Sequence, residues 1–202
     1  MGMIDVTGVF KKTILFFLTL VLMYPSLAYS AEKVAAEKDS QSIAPSYESL
    51  RETYVPQYTP EESYRLELKL LSTGYYCYDL PLFDEAWRKK GPRVLESAVF
   101  VQTWKDSNHP ILAEVNGDQA VVYYPEHFDL TPVFLEKKNG GWVIDHTVTQ
   151  ELVVLTKDFW VALDVKSPYF SILSDIFKME RTEIAKGRWG YRPVKLNPSP
   201  AY

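Results

Sequence analysis

The chain carries a single cysteine, Cys77, in 202 residues. One thiol cannot close an internal disulfide, so the fold must be held by its core rather than by covalent staples. The sequence also lacks the short signatures that bind metals or phosphates or arm a nucleophile: HExxH, CxxC, GxSxG and a glycine-rich phosphate loop are all missing. It has no surplus of positive charge. Lys and Arg number 22 against 26 Asp and Glu, giving a formal net charge of −4 and a pI of about 5.5. No basic patch is interleaved with aromatics before the extreme C-terminus, so nothing here recruits nucleic acid or an anionic membrane. The chain also lacks a run long enough to span a bilayer. Its most apolar stretch, TILFFLTLVLMY at 13–24, falls short of the ~18–20 residues a spanning helix needs.

What remains is globular in character: 47% hydrophobic, 24% charged and 14% aromatic, with 14 Tyr and 5 Trp. One main domain is the natural expectation. Lys11 and Lys12 precede the apolar run, and PSLAYSA follows it, with Ala28 and Ser30 at the −3 and −1 positions of a cut before Ala31. That is the arrangement of a cleaved signal peptide over 1–30, and it predicts a periplasmic or secreted protein that meets the membrane only through that peptide. Residues 31–58 are polar at first, contain Pro45 and Pro56, and read as an extended leader. The domain proper is expected over 59–190. A tail at 191–202 holding Pro193, Pro198 and Pro200 cannot continue a helix.

Thr59, Pro60 and Glu62 form a capping-box start, and Tyr64, Leu68 and Leu71 recur at helical spacing up to a stop at Gly74. A second helix is expected near 82–90, and 93–104 reads as a short helix running into a strand. The chain then turns β. Asn116-Gly117-Asp118 joins two arms of one hairpin and Asn139-Gly140 those of the next. A type I′ turn at Asn139-Gly140 sets Lys137 opposite Trp142, Leu135 opposite Ile144 and Val133 opposite His146. Alternation then places Val133, Leu135, Trp142, Ile144, His146 and Val148 on the core face, and Phe134, Glu136, Val143, Asp145 and Thr147 on the other. Asp145 and His146, a tempting acid/base pair, therefore point apart. FWVALDV (159–165) suits a further strand, and Ser167-Pro168 starts a helix predicted to run to about 186, closed by Gly187.

Two helices followed by hairpins, with VNGDQAVVYY and TPVFLEKKNGGWVID as the carrying segments over roughly 59–155, resemble the NTF2-like (SnoaL-like, cystatin-like) superfamily. The resemblance implies an α+β fold: N-terminal helices packed on a curved antiparallel sheet that forms a cone, here with a C-terminal helix and an extended tail. It also implies a pocket that needs no metal or cofactor, lined in the enzymes of the superfamily by Asp, His and Tyr. The candidates here are His146 and Asp79 as acid/base groups, with Tyr123, Tyr124, Trp142 and His146 as ligand contacts. Asp79, beside Tyr75, Tyr76 and Tyr78, is a place for a raised carboxyl pKa or for a turn cap. His127 with Glu126 and Asp129 reads as a solvated loop rather than a metal site. Cys77, in GYYCYDL, reads as a small buried hydrophobe.

With no catalytic constellation, the sequence points to an exported non-catalytic module whose aromatic-lined sheet concavity binds a protein partner or a small ligand, with self-association through the sheet a further expectation. Two alternatives stand beside it. One is a cofactor-free isomerase or dehydratase using His146. The other is a structural accessory subunit of an envelope assembly, docked through its leader and tail.

Overall fold

The computed structural model describes residues 45–197, apart from 92–93 and 157–158. The expected signal peptide, the leader as far as residue 44, and residues 198–202 of the tail lie outside the described residues. What is described is α+β, with six helices and antiparallel sheets.

Helix α1 (Tyr47–Thr53) starts on the side chain of Ser46 and buries Leu50, followed by buried Tyr54. It corrects the reading of this segment as an extended leader. Its apolar anchors are too few to form a periodic signal, but they are enough to dock it. Helix α2 (Pro60–Ser72) begins as expected: Thr59 and Glu62 cap each other at 3.2 Å in both directions, and Pro60 takes the first turn. Its buried face holds Tyr64, Leu68 and Leu71, but also Ser63 and Glu67.

A short pair, β1 (Tyr75–Tyr76) and β2 (Leu95–Glu96), brackets α3 (Glu85–Arg88), and α4 (Ala98–Ser107) follows. Over 93–104, then, a strand precedes a helix, the reverse of the predicted order. Ser97 caps α4 and so fixes its start.

Sheet I is a meander of β3 (Leu112–Asn116), β4 (Gln119–Tyr123), β5 (Val133–Lys138) and β6 (Gly141–Ile144), in that spatial order. Asn139 and Gly140 both have positive φ (52° and 83°), as a type I′ turn requires. The register is the one predicted, Lys137 to Trp142 and Leu135 to Ile144. The pairing stops there. Asp145 leaves the ladder and caps helix α5 (His146–Leu152) by accepting the Val148 N–H at 2.8 Å, so Val133 does not pair with His146.

The inner strands of sheet I, β4 and the first half of β5, are buried on both faces. Ala120, Val122, Val133, Leu135, Trp142 and Ile144 join a core with α1, α2 and the Tyr76–Phe83 segment. Val121 and Phe134 face a second core. The expectation that Phe134 and Val143 look away from the interior is thus corrected: they are 0% and 7% exposed. The covering layer is α6 (Pro168–Ile176) with sheet II, ordered β7 (Val153–Leu155), β8 (Trp160–Ala162), β10 (Arg188–Leu196) and β9 (Phe177–Ala185).

Two further expectations are corrected in this layer. The helix from 168 ends at Ile176, where the backbone turns extended and Phe177, Lys178, Met179 and Glu180 alternate inward and outward as β9. Gly187 (φ 78°) turns the β9–β10 hairpin instead of closing a helix. Residues 191–196, read as tail, are the end of β10, an interior strand of sheet II. Pro193 is tolerated beside an irregularity in the ladder.

Candidate functional site

His146 sits in the first turn of α5, and its ring packs between Phe83 (5.2 Å between centroids) and Trp87 (4.8 Å). Its Nε2 lies 2.7 Å from Oε1 of Glu67, a residue 4% exposed on the apolar face of α2. The Tyr76 hydroxyl donates to the same Glu67 oxygen at 3.2 Å and accepts from the Trp87 indole N–H at 3.3 Å. Four side chains from α2, β1, α3 and α5 thus form one polar cluster inside the first core.

The burial of this cluster favours neutral forms. For His146 desolvation pulls the pKa down, but the Glu67 charge and its hydrogen bond, helped by Asp84 and Asp145, overcome it and hold the imidazole above its ordinary value. Burial, then the Glu67 charge, pushes the Tyr76 phenol far up. Among the described residues no buried side-chain nitrogen or oxygen lacks a partner. The bonds of His146 all run through Nε2, so its Nδ1 is the ring atom left to solvent, in keeping with a side chain 19% exposed. The arrangement is chemically that of a carboxylate-oriented imidazole with one free nitrogen.

Asp84 locks the neighbouring turns. It is 6% exposed, caps α3 by accepting the Trp87 N–H at 2.8 Å, and accepts the Thr147 hydroxyl at 2.7 Å. This clasp sets the angle between α3 and α5, and so the slot into which His146 fits.

The other expected site residues lie elsewhere. Asp79 accepts from the Tyr47 hydroxyl and pairs with Arg88 at 3.0 Å, with no bond to His146. Its carboxyl is held below the ordinary range, first by Tyr47 and then by Arg88, so of the two readings of Asp79, a raised pKa or a turn cap, the raised pKa is corrected. Tyr123 and Tyr124 face opposite sides of sheet I. Tyr123 meets Phe177 edge-on in the second core, while the Tyr124 hydroxyl bonds that of Tyr64 in the first. Trp142 is 4% exposed, packed in the core. The four expected ligand contacts therefore do not converge. Glu67 and Asp84 were missed. Glu67 had a legible signal, since it falls on the same helical stripe as Tyr64 and Leu71; a charge on an apolar face demands a buried partner.

The His127 ring lies tilted against that of His109, 4.1 Å between centroids, and among the described residues no three His, Cys, Asp or Glu side chains converge to hold a metal. Cys77 is fully buried, as expected. Two of the surface clefts among the described residues bear on recognition. One, of about 570 Å³, lies beside the β5–β6 turn and is lined by Pro56, Phe83, Asp84, Arg88, Lys138 and Val143 among others. The other, of about 350 Å³, is lined by Phe128, Asp129, Phe159, Arg192, Pro193 and Val194. His146 lines neither.

The class these elements define is an α+β protein with two four-stranded antiparallel sheets. Compared with family models, with curated proteins and with solved structures, the chain matches none.

Proposed function

We propose that this protein is an exported, non-catalytic binding or accessory module of NTF2-like type, recognising its partner at the cleft beside the β5–β6 turn. One observation carries this reading. The sheet face that the NTF2-like resemblance assigns to a ligand is filled by the protein's own side chains, with Tyr64, Leu68 and Leu71 of α2 packed against Tyr124, Leu135 and Trp142. Recognition then belongs on the outside. The larger cleft offers a recognisable mixture: the prolines Pro56 and Pro81 as apolar floor, with Arg88 and Lys138 as cations and Glu85 as an exposed anion.

The test is photo-crosslinking in the native host from a probe at Asn139, with a second probe at Glu180, outside the cleft, as control. A discrete adduct at Asn139 alone, lost on Arg88→Glu with Lys138→Glu, supports the reading. Equal labelling from both positions, together with no thermal shift across a metabolite panel, overturns it.

The solvent-facing Nδ1 of His146 supports a second reading, a cofactor-free isomerase or dehydratase with His146 as acid/base and Glu67 as its orienting carboxylate. Turnover of a carbonyl or hydroxy-acid panel that disappears in His146→Gln, with the fold retained, would establish it. No turnover on the panel leaves the binding module as the standing proposal.

A further inference from the structure

The β9–β10 hairpin outruns the rest of its sheet. β10 pairs with β8 only at Tyr191 with Ala162, and Gly190 packs against the same strand, so residues 183–189 form a ribbon of two strands whose pairing is with each other alone. β9 is the outer strand of sheet II, and among the described residues no strand pairs with its far side. A two-stranded ribbon in water is marginally stable, and a third strand is the ordinary remedy. Long open edges are also what proteins avoid leaving bare. The ribbon carries a large exposed aromatic as well: Trp189 is 47% exposed, with the Arg181 guanidinium 4.6 Å from its ring centre.

We infer that the missing strand is β9 of a second copy of this chain, paired antiparallel about a two-fold axis through Thr182. The charge pattern of FKMERTEIA selects both the partner and the register. Such an axis stands normal to the sheet, so residues opposite one another share a face and their numbers are symmetric about the centre. Centred on Thr182, Arg181 of each copy lies opposite Glu183 of the other, which gives two opposite-charge pairs. Met179 then meets Ala185, Glu180 meets Ile184, and the two Thr182 side chains meet at the axis. Centres on Glu180, Arg181 or Glu183 set like charges directly against each other, which is destabilising. A centre on Met179 does pair Lys178 with Glu180, but β9 begins at Phe177, so that overlap is limited to five residues, 177–181, against seven for Thr182.

Arg181 and Glu183 are both exposed, and each makes one contact within its own hairpin, Arg181 over the Trp189 ring and Glu183 accepting the Gly187 N–H at 2.7 Å, which the cross-copy pairs would exchange or share. The neighbouring ion pairs, Lys178–Glu180 at 3.7 Å and Arg192–Glu180 at 3.8 Å, are long and half-exposed, which leaves this edge adaptable. This dimer is independent of the cleft beside the β5–β6 turn, since none of that cleft's lining residues comes from β9 or β10.

The test is the mass of the purified protein by light scattering across a concentration series, combined with single-cysteine crosslinking. The expected result is a concentration-dependent dimer. Arg181→Glu raises its dissociation constant about tenfold, and Arg181→Glu with Glu183→Arg restores it. Opposed residues in an antiparallel ladder stand at 4.5–5.5 Å between Cα atoms, within disulfide reach, so Thr182→Cys should oxidise to a covalent dimer. Cys77 is fully buried and leaves the introduced thiol as the reactive one. A monomer at every concentration with no crosslink from Thr182→Cys overturns the proposal, and so does crosslinking from Met179→Cys in its place.

Discussion

Burying His146 against Glu67 makes the protonation of the imidazole part of the stability of the fold. Its folded pKa lies above the ordinary 6.5, so the stabilisation is complete below that value and is lost as the pH rises through the folded pKa. Denaturant midpoints should therefore fall as the pH is raised above about 6.5, and His146→Gln should flatten that slope. A slope left unchanged by the substitution would remove His146 as its source. At Trp142 the expected effect is larger and independent of pH: Trp142→Ala should cost about 3–5 kcal/mol, because a core aromatic is replaced by a cavity. Ser63 supports the same residue from beneath. Its hydroxyl donates to the Trp142 carbonyl at 2.7 Å while accepting the Gln57 N–H at 2.9 Å, and the side chain is fully buried. Ser63→Ala strands both groups and should cost about 1–3 kcal/mol in the same denaturation experiment. None of these partnerships was legible residue by residue, since Glu67 and His146 are 79 positions apart. What the sequence did offer was a carboxylate on an apolar stripe and a histidine in an aromatic neighbourhood, two halves that only the fold joins.

At the scale of elements, the two glycine-turn hairpins of sheet I were readable, while the β9–β10 hairpin and the junctions were not. Asn139-Gly140 dictates its turn locally, because two consecutive positive φ angles admit few residue types, and the register follows from it. Gly140→Val should cost about 1–3 kcal/mol by thermal or chemical unfolding, through backbone strain alone, since a Cβ there meets open space. Gly190 is constrained differently. A Cβ at that position would sit 2.4 Å from Val161 Cγ1 and 2.8 Å from the Ala162 carbonyl, so Gly190→Ala should push β10 away from β8 and lower the melting temperature. The α6–β9 junction defeated periodicity because Ile176, Phe177 and Ile184 fit a helical stripe as well as they fit strand alternation. The deciding factor is β10, a partner strand delivered by a hairpin that closes only at Gly187. The α5 start failed for the opposite reason. Asp145 reads as one more strand residue until its side chain finds the Val148 N–H and begins a helix.

For the molecule as a whole, the central feature is that sheet I is a shared wall. Tyr169 of α6 reaches across it to donate to the Leu135 carbonyl at 3.0 Å, and its ring meets Phe134 edge-on, while Leu135 turns its side chain to the first core. Neither core can open without exposing one side of the same strands. The amides of Val121, Val122, Phe134 and Leu135 should therefore be the slowest in the protein to take up deuterium, exchanging only when the whole described domain unfolds. Strand β3, at the exposed edge of the wall with Leu112 and Val115 half in water, should exchange through smaller openings. Exchange that was faster in β4 and β5 than in β3 would divide the two layers into separately opening units. Uniform protection across β4 and β5 would instead make that wall the last structure to melt, holding both layers in one cooperative transition.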